Sequence, residues 1–394
     1  MGGVSKVIYE LASHLSSSEI SIEIATTFDR LRLITDFPYP IHQFQVSGNS
    51  VRGMKGQINA YADFLKNNKF DLIYVKAAQQ WTFDVILDHI ENIPSPVAFL
   101  PCGLPNLHDP AYRVYYQNLS NKLGSFAAFF FNSKLARDYL WIESKGFKNL
   151  YVISNGASER EFEKPQFGFR KKHGISPDNT ILLSVGNPRI QKGQLNAVKA
   201  FAHLETNRPI TLILIGKKIN GFRVVVEKLY RKLKSLPPDP EHILYDYTRK
   251  RVLNSGLKRV ICIEASRAET ITCFFESDLF IFFSFIEYSP LVLFEAMAAG
   301  LPFLSTNVGN STEISSLCGS GFIYESSQSP QNLDEADIIR ISQKISALIT
   351  DKKELKRLGH LGREYWKTNL TWKVISEVYL RSFKVIIDIA SRKH

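Results

Sequence analysis

A chain of 394 residues with 44% hydrophobic and 22% charged side chains is long enough for two ordinary domains and too apolar to be disordered. Its net charge of +11 has a plain reading, solubility, and a sharper one, an anionic partner: nucleic acid, a phosphorylated ligand or an anionic membrane. Apolar runs such as LFIFFSFI (279–286) are far too short to span a bilayer, no signal peptide opens the sequence, and Lys6 stands where a myristoylation signal needs Ser or Thr, so any membrane contact is expected to be peripheral.

The opening stretch MGGVSKVIYELASHL sets Val4, Val7, Ile8, Leu11 and Leu15 on one helical face. A Gly-Gly pair directly before a helix ordinarily closes a strand-to-helix turn. No strand precedes it in this sequence, so the first domain is expected to lack its first strand and to carry two open sheet edges. Short apolar runs bounded by turn formers then predict strands over 21–28, 41–46, 71–77, 96–103, 127–133 and 150–156, with helices between several of them, for example 57–68 and 134–146. The turn-rich, charged stretch 156–179 reads as an interdomain linker and the entry to a second domain, the join lying near residues 157–175. The alternation restarts with strands expected over 180–187, 210–216, 260–265, 278–285 and 301–306, and the chain is mainly helical from about Glu335 onward. Such alternation implies an α/β fold of two doubly wound parallel-sheet domains, with ligands at the carboxyl ends of the strands.

Cys102, Cys262, Cys273 and Cys318 are dispersed and form no C-x-x-C pair, which suits reduced thiols in a cytoplasmic protein. The basic runs 228–235, 248–259 and 352–357 fall in helix-like stretches, where solvated faces explain most such runs. The sequence holds no G-x-x-x-x-G-K-[ST] loop, no G-x-G-x-x-G, no H-E-x-x-H, no G-x-S-x-G and no D-x-D, and its nine histidines form no ligand-spaced pair, so no metal is expected.

The informative stretch is FIEYSPLVLFEAMAAG (285–300), in which two acids stand eight positions apart in an otherwise apolar segment. Ser289 is a candidate N-cap and Pro290 suits the first helical position, while Gly300 is a natural stop before the next strand. Glu287 then lies in a loop at the carboxyl end of a strand, and Glu295 about one and a half turns into a helix. The helix start, near Leu291 and Val292, offers N–H groups that suit a diphosphate. Glu295 either accepts two hydrogen bonds from a ribose diol or pairs with a nearby Lys or Arg. Glu287 either bonds hydroxyls of the group beyond the diphosphate or is an ordinary loop acid.

This pattern, E-x7-E before A-M-A-x-G-L-P, resembles the retaining GT-B glycosyltransferases of family 4 (glycosyl transferases group 1). Other stretches are similar in order and spacing: GGVSKVIYELASHL to the family's opening loop and helix, VISNGASEREF (152–162) to its hinge, LLSVGNPRIQKG (182–193) to its phosphate loop, VGNSTEI (308–314) to its G-G-x-x-E turn, and TWKVISEVYL (371–380) to its closing helix. The resemblance implies an acceptor-side domain over 1–157, a nucleotide-sugar domain over 158–366, and a helix over 367–394 that crosses back to the first domain. It implies metal-free transfer with retention from a nucleotide-diphosphate sugar to a glycan or lipid-linked acceptor, as in surface polysaccharide or glycolipid synthesis, with no further cofactor. By position, Lys192 meets the donor diphosphate, Glu287 the sugar and Glu295 the ribose, with Ser289, Leu291 and Val292 at the helix end. Gly2 and Gly3 approach the phosphate or the acceptor. A lysine ammonium aimed at the leaving phosphate is worth about 1.5–3 kcal/mol. The family's arginine after V-G is Asn187 here, and Arg189 is the candidate to replace its charge. The family's first-domain histidine is Cys102, with His108 close by, both placed in the acceptor pocket.

A non-catalytic nucleotide-sugar-binding or scaffold role is the main alternative. Nucleic acid binding rests on charge alone without a recognised motif, and the GT-B epimerases lack the E-x7-E arrangement. The basic charge and the aromatic stretch AYRVYYQN (111–118) would allow contact with the inner face of a membrane.

Overall fold

The computed structural model describes all residues except 1, 18, 31–36, 218–220, 235–242, 245, 247, 250–252, 255, 327–332 and 393–394, and among residues 221–224 the backbone alone. Parts of the basic runs 228–235 and 248–259 thus lie outside the described residues. The chain forms two compact units, one of Met1–Asn155 with Trp372–His394, the other of Gly156–Thr371.

In the first unit, β1 (Ile24–Thr27) and β2 (Ile41–Phe44) pair in parallel as a small sheet of their own. β3 (Val46–Asn49) and β4 (Gly53–Gly56) form an antiparallel hairpin, and β5 (Ile73–Lys76), β6 (Val97–Leu100), β7 (Ala128–Phe131) and β8 (Leu150–Val152) form a four-stranded parallel sheet in sequence order. Among the described residues β1, β2, β5 and β8 each pair on one side only. The hairpin breaks the single strand expected over 41–46. Gly48 and Gly56 have positive φ, and a Cβ on either would sit 1.9 Å from a carbonyl oxygen across the hairpin, so glycine permits this close pairing. The Asn49 side chain closes the turn by accepting from the N–H groups of Val51 and Arg52.

Helix α1 (Gly3–Leu15) buries Val7, Leu11 and Leu15 and packs on the closing helix Trp372–Ser391, whereas Val4 at its first turn is exposed and Ile8 is half-buried. Tyr112, Tyr115 and Tyr116 are buried in the unit's own core, as a helix packed on its own domain requires.

The second unit holds one six-stranded parallel sheet: β9 (Thr180–Val185), β10 (Ile210–Ile215), β11 (Lys258–Ile263), β12 (Leu279–Phe282), β13 (Phe303–Thr306) and β14 (Gly321–Tyr324), in the order β11-β10-β9-β12-β13-β14. Its central strands are buried on both faces, which is why they read as unbroken apolar runs rather than as alternation. β14, with its half-buried GFIY, escapes that signal. The stretch 156–179, read as a linker and the entry to a second domain, lies wholly within the second unit. It forms short helices at Glu159–Phe162 and Phe169–Lys172, and Ala157, Phe162, Phe169 and Ile175 enter the core of this unit. Apolar side chains spaced through a charged stretch were the available signal.

Candidate functional site

Chain order turns back between β9 and β12: β10 and β11 follow β9 to one side, and β13 and β14 follow β12 to the other. Such a reversal leaves a crevice at the carboxyl ends of the two middle strands, the ordinary ligand position in an open α/β sheet.

From β9 the chain runs through Gly186–Arg189 into a single 3-10 turn, Ile190–Lys192, and then into α2 (Gln194–His203). Gly193 joins them with φ +69°, and a Cβ there would lie 1.8 Å from the carbonyl oxygen of Phe283. This glycine therefore lets the β9 loop press against the end of β12. The Gln194 side-chain amide donates to the carbonyls of Gly186 (3.0 Å) and Ile215 (3.2 Å), fixing the helix start to two strand ends.

From β12 the chain is stitched to the same loop. The N–H of Phe285 donates to the Gln191 carbonyl at 2.8 Å, and Ser284 Oγ lies 2.7 Å from that oxygen. On the other side, Thr306 Oγ1 donates to the Ser284 carbonyl at 2.8 Å. Gly309 (φ +57°) lies so near the Glu287–Tyr288 backbone that a Cβ would come 2.6 Å from the Tyr288 oxygen. The V-G-N turn thus packs on the loop that carries Glu287.

The outcome is a pair unseen in the sequence. Lys192 Nζ donates to Glu287 Oε1 at 2.6 Å, across 95 positions of chain, and Ser284 Oγ lies 3.0 Å from the same oxygen. The lysine side chain is 36% exposed and the glutamate 15%, so the pair is reachable from solvent. Beside it, α4 (Leu291–Ala299) begins one position later than expected, since Pro290 (φ −71°, ψ 111°) is extended and occupies the N-cap in place of Ser289. Proline has no N–H to lose there, so the leading N–H groups are those of Leu291 and Val292. Ser289 is half-buried in the preceding loop, and Gly300 ends the helix with φ +71°.

Glu295 lies one turn into α4 and is 5% exposed. Its Oε1 accepts from Arg267 Nη2 at 2.7 Å. Arg267 opens α3 (Arg267–Glu276), whose start is capped by Ser266 Oγ accepting from the Glu269 N–H. The same guanidinium grips Glu161 through two bonds, Nε–Oε1 at 2.9 Å and Nη2–Oε2 at 2.6 Å, and lies 5.7 Å from the Phe162 ring centroid. Burial opposes its charge, yet the hydrogen bonds to Glu161 and Glu295 outweigh that and raise its pKa. Of the two roles open to Glu295 in the sequence, the ion pair is present. Arg267 and Glu161 were missed because their partner is set by tertiary packing. The S-x-x-E cap beside Arg267 was the one local signal.

Asn187 and Arg189 lie on the exposed part of the β9 loop, and among the described residues the Arg189 side chain makes no hydrogen bond or ion pair. Gly2, Gly3, Cys102 and His108 belong to the first unit. There Gly2 is the exposed N-cap of α1, His108 is exposed, and burial pushes the half-buried Cys102 thiol up to about 11. Among the described residues Cys102 (φ +60°) is one of five non-glycine residues in the left-handed region, with Ala77, Gln79, Leu104 and Asn106, all in the loops after β5 and β6. Strain of this kind collects at ligand-binding loops. At the end of β5, Lys76 Nζ is buried with no hydrogen-bond partner among the described residues, and burial lowers its pKa. Among the described residues no group of three or more His, Cys, Asp or Glu side chains is placed to hold a metal ion.

The model of the family described as glycosyl transferases group 1 matches residues 166–365. N-acetyl-alpha-D-glucosaminyl L-malate synthase of Bacillus anthracis is 26% identical over 243 residues, covering 61% of this chain and 55% of that protein, so the aligned stretch spans little more than half of the relative's length. Sucrose-phosphate synthase from Thermosynechococcus elongatus superposes with a TM-score of 0.73 at 16% identity, covering 98% of this chain and 94% of that one. Anabaena HepE, solved in complex with UDP-glucose, gives a TM-score of 0.69 at 16% identity over 98% and 96% of the two chains. At such identities the structural likenesses show the fold, the GT-B architecture expected from the motifs.

Proposed function

The chain belongs to the glycosyl transferases group 1 family, and from that premise we propose that it moves a sugar, with retention, from a nucleotide-diphosphate donor to a glycan or lipid-linked acceptor. The observation that carries this reading is the meeting of Lys192 with Glu287 at the strand-order reversal, beside the N-terminus of α4. Each part has a chemical use. The donor diphosphate takes the N–H groups of Leu291 and Val292 and the positive end of α4. Lys192 exchanges Glu287 for a phosphate oxygen. The exchange is cheap because a solvent-reachable ion pair is worth only about 0–1 kcal/mol. Glu287, so released, accepts hydroxyls of the sugar. Glu295, held in place by Arg267, faces the ribose.

In the transfer step the bond from the anomeric carbon to the diphosphate oxygen breaks, and the electron pair leaves with the diphosphate. The acceptor hydroxyl oxygen bonds the same carbon from the same face, and its proton passes to the leaving phosphate. Lys192 and the helix end stabilise the charge that grows there. No metal step is proposed. Surface polysaccharide or glycolipid synthesis is the setting proposed for this reaction.

A panel of nucleotide sugars, including UDP-glucose and UDP-N-acetylglucosamine, tests the reading by thermal shift. One base class is expected to raise the unfolding temperature, since a ligand at a hundred times its Kd stabilises by about 2.7 kcal/mol. A panel without any shift contradicts the reading. Asn187 in place of the family's arginine favours a second reading, a nucleotide-sugar-binding protein without transferase activity. Measured transfer, or slow donor hydrolysis, rules that out.

A further inference from the structure

Exposed apolar side chains are scattered over most of this chain, but one helix gathers five of them. In the helix Gly221–Leu233 of the second unit, Val225, Val226, Leu229, Tyr230 and Leu233 are each 53–76% exposed, and none belongs to a core cluster. At about 100° per residue the five form a single stripe on one side of the helix. Lys232 and Lys234, both exposed, border the stripe on opposite sides. Lys228 pairs with Asp246, and Arg231 with Glu227. Over 217–234 the sequence carries seven basic residues (Lys217, Lys218, Arg223, Lys228, Arg231, Lys232, Lys234) against one acid, Glu227; the side chains of Lys218 and Arg223 lie outside the description.

We propose that this helix is a membrane-surface element that lays its Val225–Leu233 stripe into the interface of an anionic lipid bilayer. The chemistry fits that occupant better than a protein. A contiguous apolar stripe turned to water marks an interaction surface. Protein interfaces are depleted of lysine, whereas an amphipathic helix bordered by lysines matches an acyl boundary under a layer of phosphates. Pairing with a second copy would set two lysine-rich borders against each other. No helix among the described residues is long and apolar enough to cross a membrane, so the contact is peripheral. The inference stands on the helix alone and does not depend on the donor site.

Co-sedimentation of the full chain with phosphatidylglycerol-rich and with pure phosphatidylcholine vesicles tests it. Binding to the anionic vesicles is expected to be salt-sensitive and to fall about tenfold or more in a Leu229→Asp/Leu233→Asp variant, with weak binding to the neutral ones. Both positions are exposed, so the unfolding midpoint and nucleoside diphosphate binding should stay as in the wild type. A Tyr230→Trp variant should show a blue shift on anionic vesicles and quenching by acyl-brominated lipid. The proposal is overturned if the wild type ignores anionic vesicles, if the double variant binds them equally well, or if the emission of the Tyr230→Trp variant does not move while the protein binds. It is equally overturned if sedimentation velocity shows a dimer that the double variant dissolves, since the stripe would then cover a second copy.

Discussion

In the second unit, six strands form one sheet, and two charge clusters near its carboxyl ends are paired: Lys192 with Glu287, and Arg267 with Glu295 and Glu161. In the first unit the parallel strands fall into two separate sheets, and Lys76, at the end of β5, has its buried amine without a hydrogen-bond partner among the described residues. The second unit thus holds its two acids, Glu287 and Glu295, in ion pairs at this end of the sheet. The first keeps a buried amine without a hydrogen-bond partner beside loops that hold five non-glycine residues at positive φ. Pairing also differs within the second unit. Glu295 is deeply buried and paired with Arg267, whereas the pair of Glu287 is open to solvent.

If that contrast is right, Arg267→Ala has the largest effect on stability. It strands Glu295 in the core and should cost about 2–3 kcal/mol, below the usual range for a fully buried pair because the guanidinium is 39% exposed. Urea unfolding measures it, and adding Glu295→Gln should restore part of the loss. A neutral result would make Glu295 as exchangeable as Glu287.

Lys76→Met should act in the opposite direction, adding about 1–2 kcal/mol at neutral pH, because an unpartnered buried donor is replaced by a side chain of similar length. The pH dependence has a definite sign. Burial lowers the lysine's pKa in the folded protein. From that lowered value up to about 10.4 the unfolded chain binds more protons than the folded one, so stability rises with pH across this window. The variant should lose that rise. An identical slope in both proteins would mean that Lys76 is not the group responsible. The smallest stability effect is expected for Lys192→Ala, within about 1 kcal/mol, since its ion pair is partly exposed.

The second unit's strands and its switch-point motif were legible because parallel strands buried on both faces give unbroken apolar runs, and glycines mark where backbones touch. Gly193 and Gly309 are such positions, each with a neighbouring backbone where a Cβ would have to be. The partner of each acid was not legible. Lys192 and Glu287 are 95 positions apart and Arg267 and Glu295 are 28 apart, and only the sheet order brings them together. The N-cap of α4 was misplaced by one residue because Ser before Pro is a strong local cap signal, while the backbone places the extended residue at Pro290. The hairpin after β2 was hidden because, Val46 and Met54 apart, its strands are built of glycine and polar residues rather than β-branched ones.

Calorimetric titration of a nucleoside diphosphate into the wild type and Lys192→Ala tests the central claim, that the β9–β12 crevice of the second unit holds the donor's diphosphate. The account predicts binding about ten- to a hundredfold weaker in the variant, with stability changed by no more than about 1 kcal/mol. Equal affinity in the two proteins would contradict it.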